Sequence, residues 1–335
     1  MKIIKYGNLT EDFYKLQEFA GIESVSEIIR QVKEGGDEAV RRYSRQFGDG
    51  ELERLELTCE EIEKAIVETP DEIKDSIKAA IENVKNFAKA QLASIKELEI
   101  NNNGVTLGHK VIPLQVVGAY VPGGNYPLPS SAIMTVVPAK AAGVEEVIVC
   151  SPRIQPVTIA AAALSGADRI FRIGGVQAVA AMAYGTESVP AVNKIVGPGN
   201  KYVTAAKKEV YGVCGIDFLA GPSEVMIIAD ETANPRFVAA DMLAQCEHDA
   251  DARAYLVSTS EQLAQDVIQE ISKFLTSLPT SAIAERAINE SLIILVDNIE
   301  QAVEIADKKA PEHLELCYNQ AKEDLCRYRN YGSLF

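Results

Sequence analysis

The chain contains no tryptophan, only three histidines in 335 residues, and 6% aromatics overall. Any imidazole chemistry therefore rests on His109, His248 or His313. Basic residues are also short, with 33 Lys and Arg against 48 Asp and Glu and a formal net charge of −15. An acidic chain repels phosphate backbones, which argues against a nucleic-acid partner. No apolar segment is long enough to span a bilayer. The first residues, MKIIKYGNLTEDFYKLQEF, lack the apolar run of a signal peptide. The six cysteines form no C-x-x-C pair and read as reduced, mostly buried thiols of a cytoplasmic protein. There is no G-x-G-x-x-G, so spacing alone establishes no dinucleotide site. There is no low-complexity tract and no exact repeat.

What is present is a soluble globular composition, 47% hydrophobic and rich in small aliphatics, on a length sufficient for two domains. The first hundred or so residues read as mainly helical. SVSEIIRQVKEGGDEAVRRYSRQF has apolar residues at helical spacing and breaks at Gly35-Gly36. PDEIKDSIKAAIENVKNFAKAQL is long and amphipathic, and starts from a proline suited to a first helical turn. GVTLGHKVIPLQVVGAYVPGG then reads as strands ending in a glycine-rich turn, with His109 structural among them. From there strands such as EEVIVCSP, RIFRIGG, EVMIIAD, AYLVSTS and SLIILVD alternate with helices. That alternation predicts an α/β fold of parallel sheets covered by helices on both faces, with two similar Rossmann-like halves. The end, LCRYRNYGSLF, stops on an apolar run that reads as the start of a strand.

Ligand sites of such folds lie at the carboxyl ends of the strands. Three glycine-rich segments fall at such ends: Tyr120-Val121-Pro122-Gly123-Gly124, Gly174-Gly175-Val176-Gln177 and Gly197-Pro198-Gly199-Asn200. Each is either a tight turn or a place where backbone N–H groups approach a phosphate. Asp241, Gln245 and His248, at i, i+4 and i+7, make one polar helical stripe beside Val238, Met242 and Cys246. The stripe is either a solvated face or a source of metal donors. In Gly221-Pro222-Ser223-Glu224 the serine either binds substrate or caps a turn. Glu312-His313 in APEHLEL is either an acid–base pair or a polar turn. A concerted role needs irregular backbone there, which Pro311 permits.

Four segments in this order resemble the histidinol dehydrogenase family: GAYVPGG…PSSAIMTVVPAKAAGV, GGVQAVAAMAYGTESVPAVNKIVGPGN, DFLAGPSEVMIIAD, and MLAQCEH with APEHLE. The resemblance runs from about residue 20 to 335 and, as a set, is far more specific than any one glycine turn. It implies an aldehyde-dehydrogenase-like fold of two incomplete Rossmann-like domains and a homodimer. The expected division is 1–119 with 223–335 as one domain, including the N-terminal helices, and 120–222 as the NAD-binding domain. The implied reaction is zinc- and NAD-dependent oxidation of L-histidinol to L-histidine through the aldehyde, at the end of histidine biosynthesis. By matching positions, Tyr120, Gln177 and Asn200 look like NAD contacts and Ser223 like a substrate contact. Gln245 and His248 look like zinc ligands that also hold substrate. Glu312 and His313 look like the catalytic pair, with His313 also touching substrate. Leu128 stands where the family usually has tyrosine, and NYP and NYGSLF are similar to paralogues acting on other small alcohols. Family members normally continue past GSLF into a segment that completes the zinc site. The expectation is therefore a truncated, weakly active chain, with a non-catalytic nucleotide-binding remnant as the reading from another class.

Overall fold

Short β-branched runs between glycine and proline punctuation become strands here, and the amphipathic runs become helices. The computed structural model describes residues 1–15, 23–123, 127–219 and 223–335. Gly124, the Asn125-Tyr126 part of NYP and Gly221-Pro222 therefore lie outside the described residues. In chain order the elements are β1 (Lys2–Lys5), α1 (Glu11–Tyr14), α2 (Glu23–Gln46), α3 (Cys59–Glu68), α4 (Asp71–Ser94), β2 (Leu98–Asn102), β3 (Val105–His109), β4 (Val116–Tyr120), α5 (Pro129–Ala141), β5 (Glu146–Cys150), α6 (Pro156–Leu164), β6 (Arg169–Phe171) and α7 (Gly175–Tyr184). They continue with β7 (Lys194–Val196), α8 (Lys201–Val210), β8 (Gly215–Ile216), β9 (Glu224–Ala229), α9 (Pro235–Cys246), β10 (Arg253–Ser258), α10 (Glu261–Leu275), α11 (Ser281–Asn289), β11 (Leu292–Leu295), α12 (Ile299–Lys309), β12 (His313–Cys317), α13 (Ala321–Asp324) and β13 (Ser333–Leu334).

The chain forms two compact units, Phe19–Ala220 and the discontinuous Met1–Glu18 with Gly221–Phe335. The central unit holds a five-stranded parallel sheet ordered β6-β5-β4-β7-β8. Counted within the sheet, that is 3-2-1-4-5, the Rossmann order 3-2-1-4-5-6 without its last strand. The other unit repeats it: β11-β10-β9-β12-β13 is again 3-2-1-4-5, all parallel, with β1 added beyond β11. Each sheet is buried on both faces. Val117 and Ala119 of β4 face one apolar cluster and Tyr120 the other. Ile227 and Met226 divide the two clusters of the second sheet in the same way.

The two units divide the chain elsewhere than at 119/120. Residues 23–119 group with the central unit, and a boundary at 119/120 would cut β4 before its last residue. The reason lies in the contacts of the N-terminal helical region. α2 runs along α7 and kinks at Gly36 (φ +52), where the Asp37 N–H donates to Glu187 Oε2 (2.7 Å) and the Thr186 hydroxyl donates to Asp37 (2.6 Å). Further on, the Leu57 N–H donates to the Ile170 carbonyl (2.8 Å), and Arg169 grips Glu56 through two nitrogens (2.8 and 2.6 Å). The break expected at Gly35-Gly36 is present: the backbone leaves helical geometry at Gly36, so α2 is two helical segments joined at a pinned kink.

β1 was not foreseen in a region read as helical, because its partner, β11, lies some 290 residues away in sequence. β2 and β3 form an antiparallel hairpin, with His109 exposed at its end and its ring nitrogen 2.9 Å from the Lys96 carbonyl oxygen. The apolar end of the chain is a strand, as expected. All six cysteines are free, but only Cys150, Cys214 and Cys246 are buried; Cys317 is half-buried, and Cys59 and Cys326 are exposed. No helix among the described residues is long and apolar enough to cross a membrane.

Candidate active site

In the central unit the strand order reverses between β4 and β7, and a crevice is expected at their carboxyl ends. A cavity of about 690 Å³ opens there, lined by Tyr120, Gly123, Gly175, Gln177 and Asn200. All three glycine turns read from the sequence therefore meet at one place. Gly197 has φ +113, and a Cβ on it would sit 2.1 Å from the Tyr120 carbonyl oxygen, so only glycine lets the two turns touch. Gly175 (φ +62) donates its N–H to the Tyr120 hydroxyl oxygen at 3.0 Å. Burial pushes the pKa of Tyr120 up to about 12. The N-cap residue of the ten-residue α7, Gly174, has no side chain to cap it, and the Tyr120 hydroxyl takes the first helical N–H instead.

Gln177, in that first turn, is 1% exposed, and among the described residues neither Nε2 nor Oε1 has a hydrogen-bond partner. Leaving a buried amide unpaired costs roughly 1–3 kcal/mol, so a polar ligand in the adjoining cavity is its natural partner. Asn200 caps α8, accepting from the N–H groups of Tyr202 (3.1 Å) and Val203 (3.2 Å). Sequence reasoning missed the groups behind this turn. Lys207, 3% exposed, donates to the Gly197 carbonyl at 3.0 Å and pairs with Asp217. Asp217 in turn accepts the Gly197 N–H at 2.7 Å.

In the discontinuous unit the remaining predicted residues sit at the opposite kind of edge. Glu312 and His313 enter β12 at its amino end, and Ser223 and Glu224 enter β9 at its amino end, with His313 in register with Val225. The Glu224 N–H donates to Glu312 Oε2 at 3.2 Å. Glu224 also pairs with the buried Lys309 at 3.1 Å. Ala310 is left-handed (φ +53), which supplies the irregular backbone the pair requires. On the other side, β13 docks beside His313: the Ser333 N–H donates to the Glu312 carbonyl (2.8 Å), and the Phe335 ring lies 6.0 Å from the His313 ring.

The helical stripe is corrected in one respect. α9 ends at Cys246, so Asp241 and Gln245 lie on it, while His248 lies in the turn beyond and is exposed. Among the described residues, the side chains of Gln245 and His248 make no hydrogen bond, and no group of three His, Cys, Asp or Glu is placed to hold a metal. Two donors fall short of the three or four of a stable zinc site.

Glu315 was also missed, although the alternation in HLELC places it on the same strand face as His313 and Cys317. Burial, reinforced by the charge of Asp241, raises its pKa to about 7. The folded chain thus keeps a proton that the unfolded chain releases in the ordinary carboxylate range. Stability should fall as pH rises from that range to about 7 and level off above it. Glu315→Gln should flatten this slope in urea titrations between pH 5 and 8. Discounted for partial exposure, the gain at pH 8 is about 1–2 kcal/mol.

A doubly wound sheet whose switch point opens on a glycine-lined cavity is the architecture of dinucleotide-binding proteins. Residues 15–335 match the family model described as histidinol dehydrogenase, and the chain belongs to that family. It is 45% identical over 318 residues to the histidinol dehydrogenase of Methanosarcina mazei, covering 93% of this chain and 73% of that protein. It is 44% identical over 319 residues to a histidinol dehydrogenase homolog of Shouchella clausii, covering 93% and 75%. The crystal structure of histidinol dehydrogenase from Elizabethkingia anophelis superposes with a TM-score of 0.93 at 34% identity, covering 100% of this chain and 80% of that one. The chain is thus an oxidoreductase of the histidinol dehydrogenase type.

Proposed function

We propose that this chain oxidises L-histidinol to L-histidine through the aldehyde, passing one hydride to each of two NAD molecules. The observation that carries the nucleotide half is the buried amide of Gln177, without a partner among the described residues, in a cavity shared with Tyr120 and Asn200. In this reading the central unit takes NAD, and Ser223, Glu312 and His313 serve the alcohol. His313 accepts the carbinol proton as hydride leaves the carbon. Glu312, oriented by the Glu224 N–H, activates water to hydrate the aldehyde. His313, having released its first proton to solvent, then accepts a second as the hydrate gives up the second hydride. Bound zinc would grip substrate nitrogens and fix the carbinol carbon. The described residues supply only Gln245 and His248 toward it, so no step is routed through the metal here.

The test is NADH formation on a panel containing L-histidinol and other small alcohols, with and without added zinc. Leu128, at the residue before α5, marks a departure from the family pattern that makes the panel informative. Two NADH per histidinol supports the reading, and turnover of non-imidazole alcohols alone would sink it. We extend the proposal to a cytoplasmic homodimer. Six free cysteines suit a reducing compartment. The β2–β3 hairpin exposes Leu98, Ile100, Val105 and Leu107, an apolar surface suited to burial against a second copy. Sedimentation of this chain as a monomer at micromolar concentration would count against the dimer.

A further inference from the structure

The same cavity contains a carboxylate that neither the sequence motifs nor the proposed mechanism uses. Asp49 lies in the short loop after α2, between Gly48 and Gly50, both at φ +89, with its N–H donating to the Ser44 carbonyl at 2.8 Å. It lines the cavity together with Tyr120, Gln177 and Arg153. Among the described residues no side-chain hydrogen bond reaches its carboxylate. Its favourable neighbours are the Arg153 guanidinium and the Gly174 backbone N–H, and burial outweighs both and raises its pKa. A carboxylate so placed is short of hydrogen-bond donors.

Its surroundings indicate which donors a ligand would bring. Two residues earlier, Phe47 is 50% exposed, and Tyr202, across the same cavity, is 45% exposed. Both are apolar surfaces suited to a purine ring. Arg153 follows the carboxyl end of β5, the second strand of this sheet. In doubly wound nucleotide sites that strand end carries the residue facing the adenosine ribose: an acid for the 2′-hydroxyl, or an arginine for a 2′-phosphate. Here the arginine stands at the strand end, and the acid arrives from the N-terminal helical region to oppose it.

We propose that Asp49 is the specificity-determining residue of the nucleotide cavity. It accepts from the adenosine ribose hydroxyls and, by like-charge repulsion, excludes the 2′-phosphate that Arg153 would otherwise bind. The proposal rests on the nucleotide reading of the cavity given above.

The experiment is calorimetric titration of NAD and of NADP into the intact chain and into Asp49→Asn, Asp49→Ser and Asp49→Ser/Arg153→Ala. Asp49→Asn is isosteric and keeps the loop, so folding does not confound it. The expected result is that both single variants lower the preference for NAD over NADP by about 10- to 100-fold. Removing Arg153 in the serine background should abolish the gained NADP affinity. An unchanged NAD-to-NADP ratio in Asp49→Asn, with NAD still bound, would overturn the role of Asp49 and leave the nucleotide site standing. Failure of the unaltered chain to bind either nucleotide would overturn the site itself and this inference with it.

Discussion

Lys207→Met should lower stability by about 3–5 kcal/mol, the usual consequence of removing one partner from a buried ion pair. Lys207 is 3% exposed, and the Asp217 side chain is 18% exposed. Asp217 would keep the Gly197 and Phe218 N–H groups as donors (both 2.7 Å) but lose its only ion-pair partner among the described residues. The loss should not stop at stability. Lys207 and Asp217 take the carbonyl and the N–H of Gly197, so together they fix the turn that carries Asn200 to the cavity. Nucleotide affinity should therefore fall in the folded fraction as well. Urea denaturation and NAD titration of the same samples measure the two effects. Lys207→Met/Asp217→Asn should recover part of the stability, because it removes the uncompensated charge. If Lys207→Met unfolds like the parent, the pair is not structural.

The regularities that lead to the fold are local ones. Strand–helix alternation announces parallel sheets, and three glycine turns announce where those strands end. The Lys207–Asp217 pair was hidden because it spans ten residues within and beyond an amphipathic helix, and only folding turns the lysine inward. β1 was hidden for a similar reason, since a four-residue run, KIIK, acquires meaning only against β11. The edge on which Glu312 and His313 stand was equally illegible. Residue type marks them as acid–base candidates, but only strand direction puts them at the amino ends of β12 and β9.

The two sheets share one strand order, yet their switch points differ in chemistry. After β4 come Pro122 and Gly123; after β9 come Asp230, Glu231 and Thr232, where the Asp230 carboxylate accepts from the Thr232 N–H at 2.9 Å. An acidic, glycine-free turn repels phosphate and lets no backbone approach it. Topology alone would allow two nucleotide sites, and the turn residues, read directly from the sequence, favour one.

His313→Gln should reduce turnover by about 10²–10⁴, the range for loss of a positioned general base, while leaving NAD affinity unchanged. Glu312→Gln separates the roles proposed for the pair. Gln keeps an amide oxygen to accept from the Glu224 N–H, so the 3.2 Å contact and the local backbone should survive. What it loses is the base that activates water. Alcohol oxidation should then continue while hydration of the aldehyde stalls, so NADH per histidinol should move from two toward one and aldehyde should accumulate. A variant with a purely structural defect would slow both oxidations alike and keep the ratio at two. In His313→Gln both oxidations should fail together, because each needs the same proton acceptor. Trapping the aldehyde and counting NADH in single turnovers distinguishes these outcomes. An unchanged ratio in Glu312→Gln would remove Glu312 from the chemistry and leave it as the residue that ties β12 to β9.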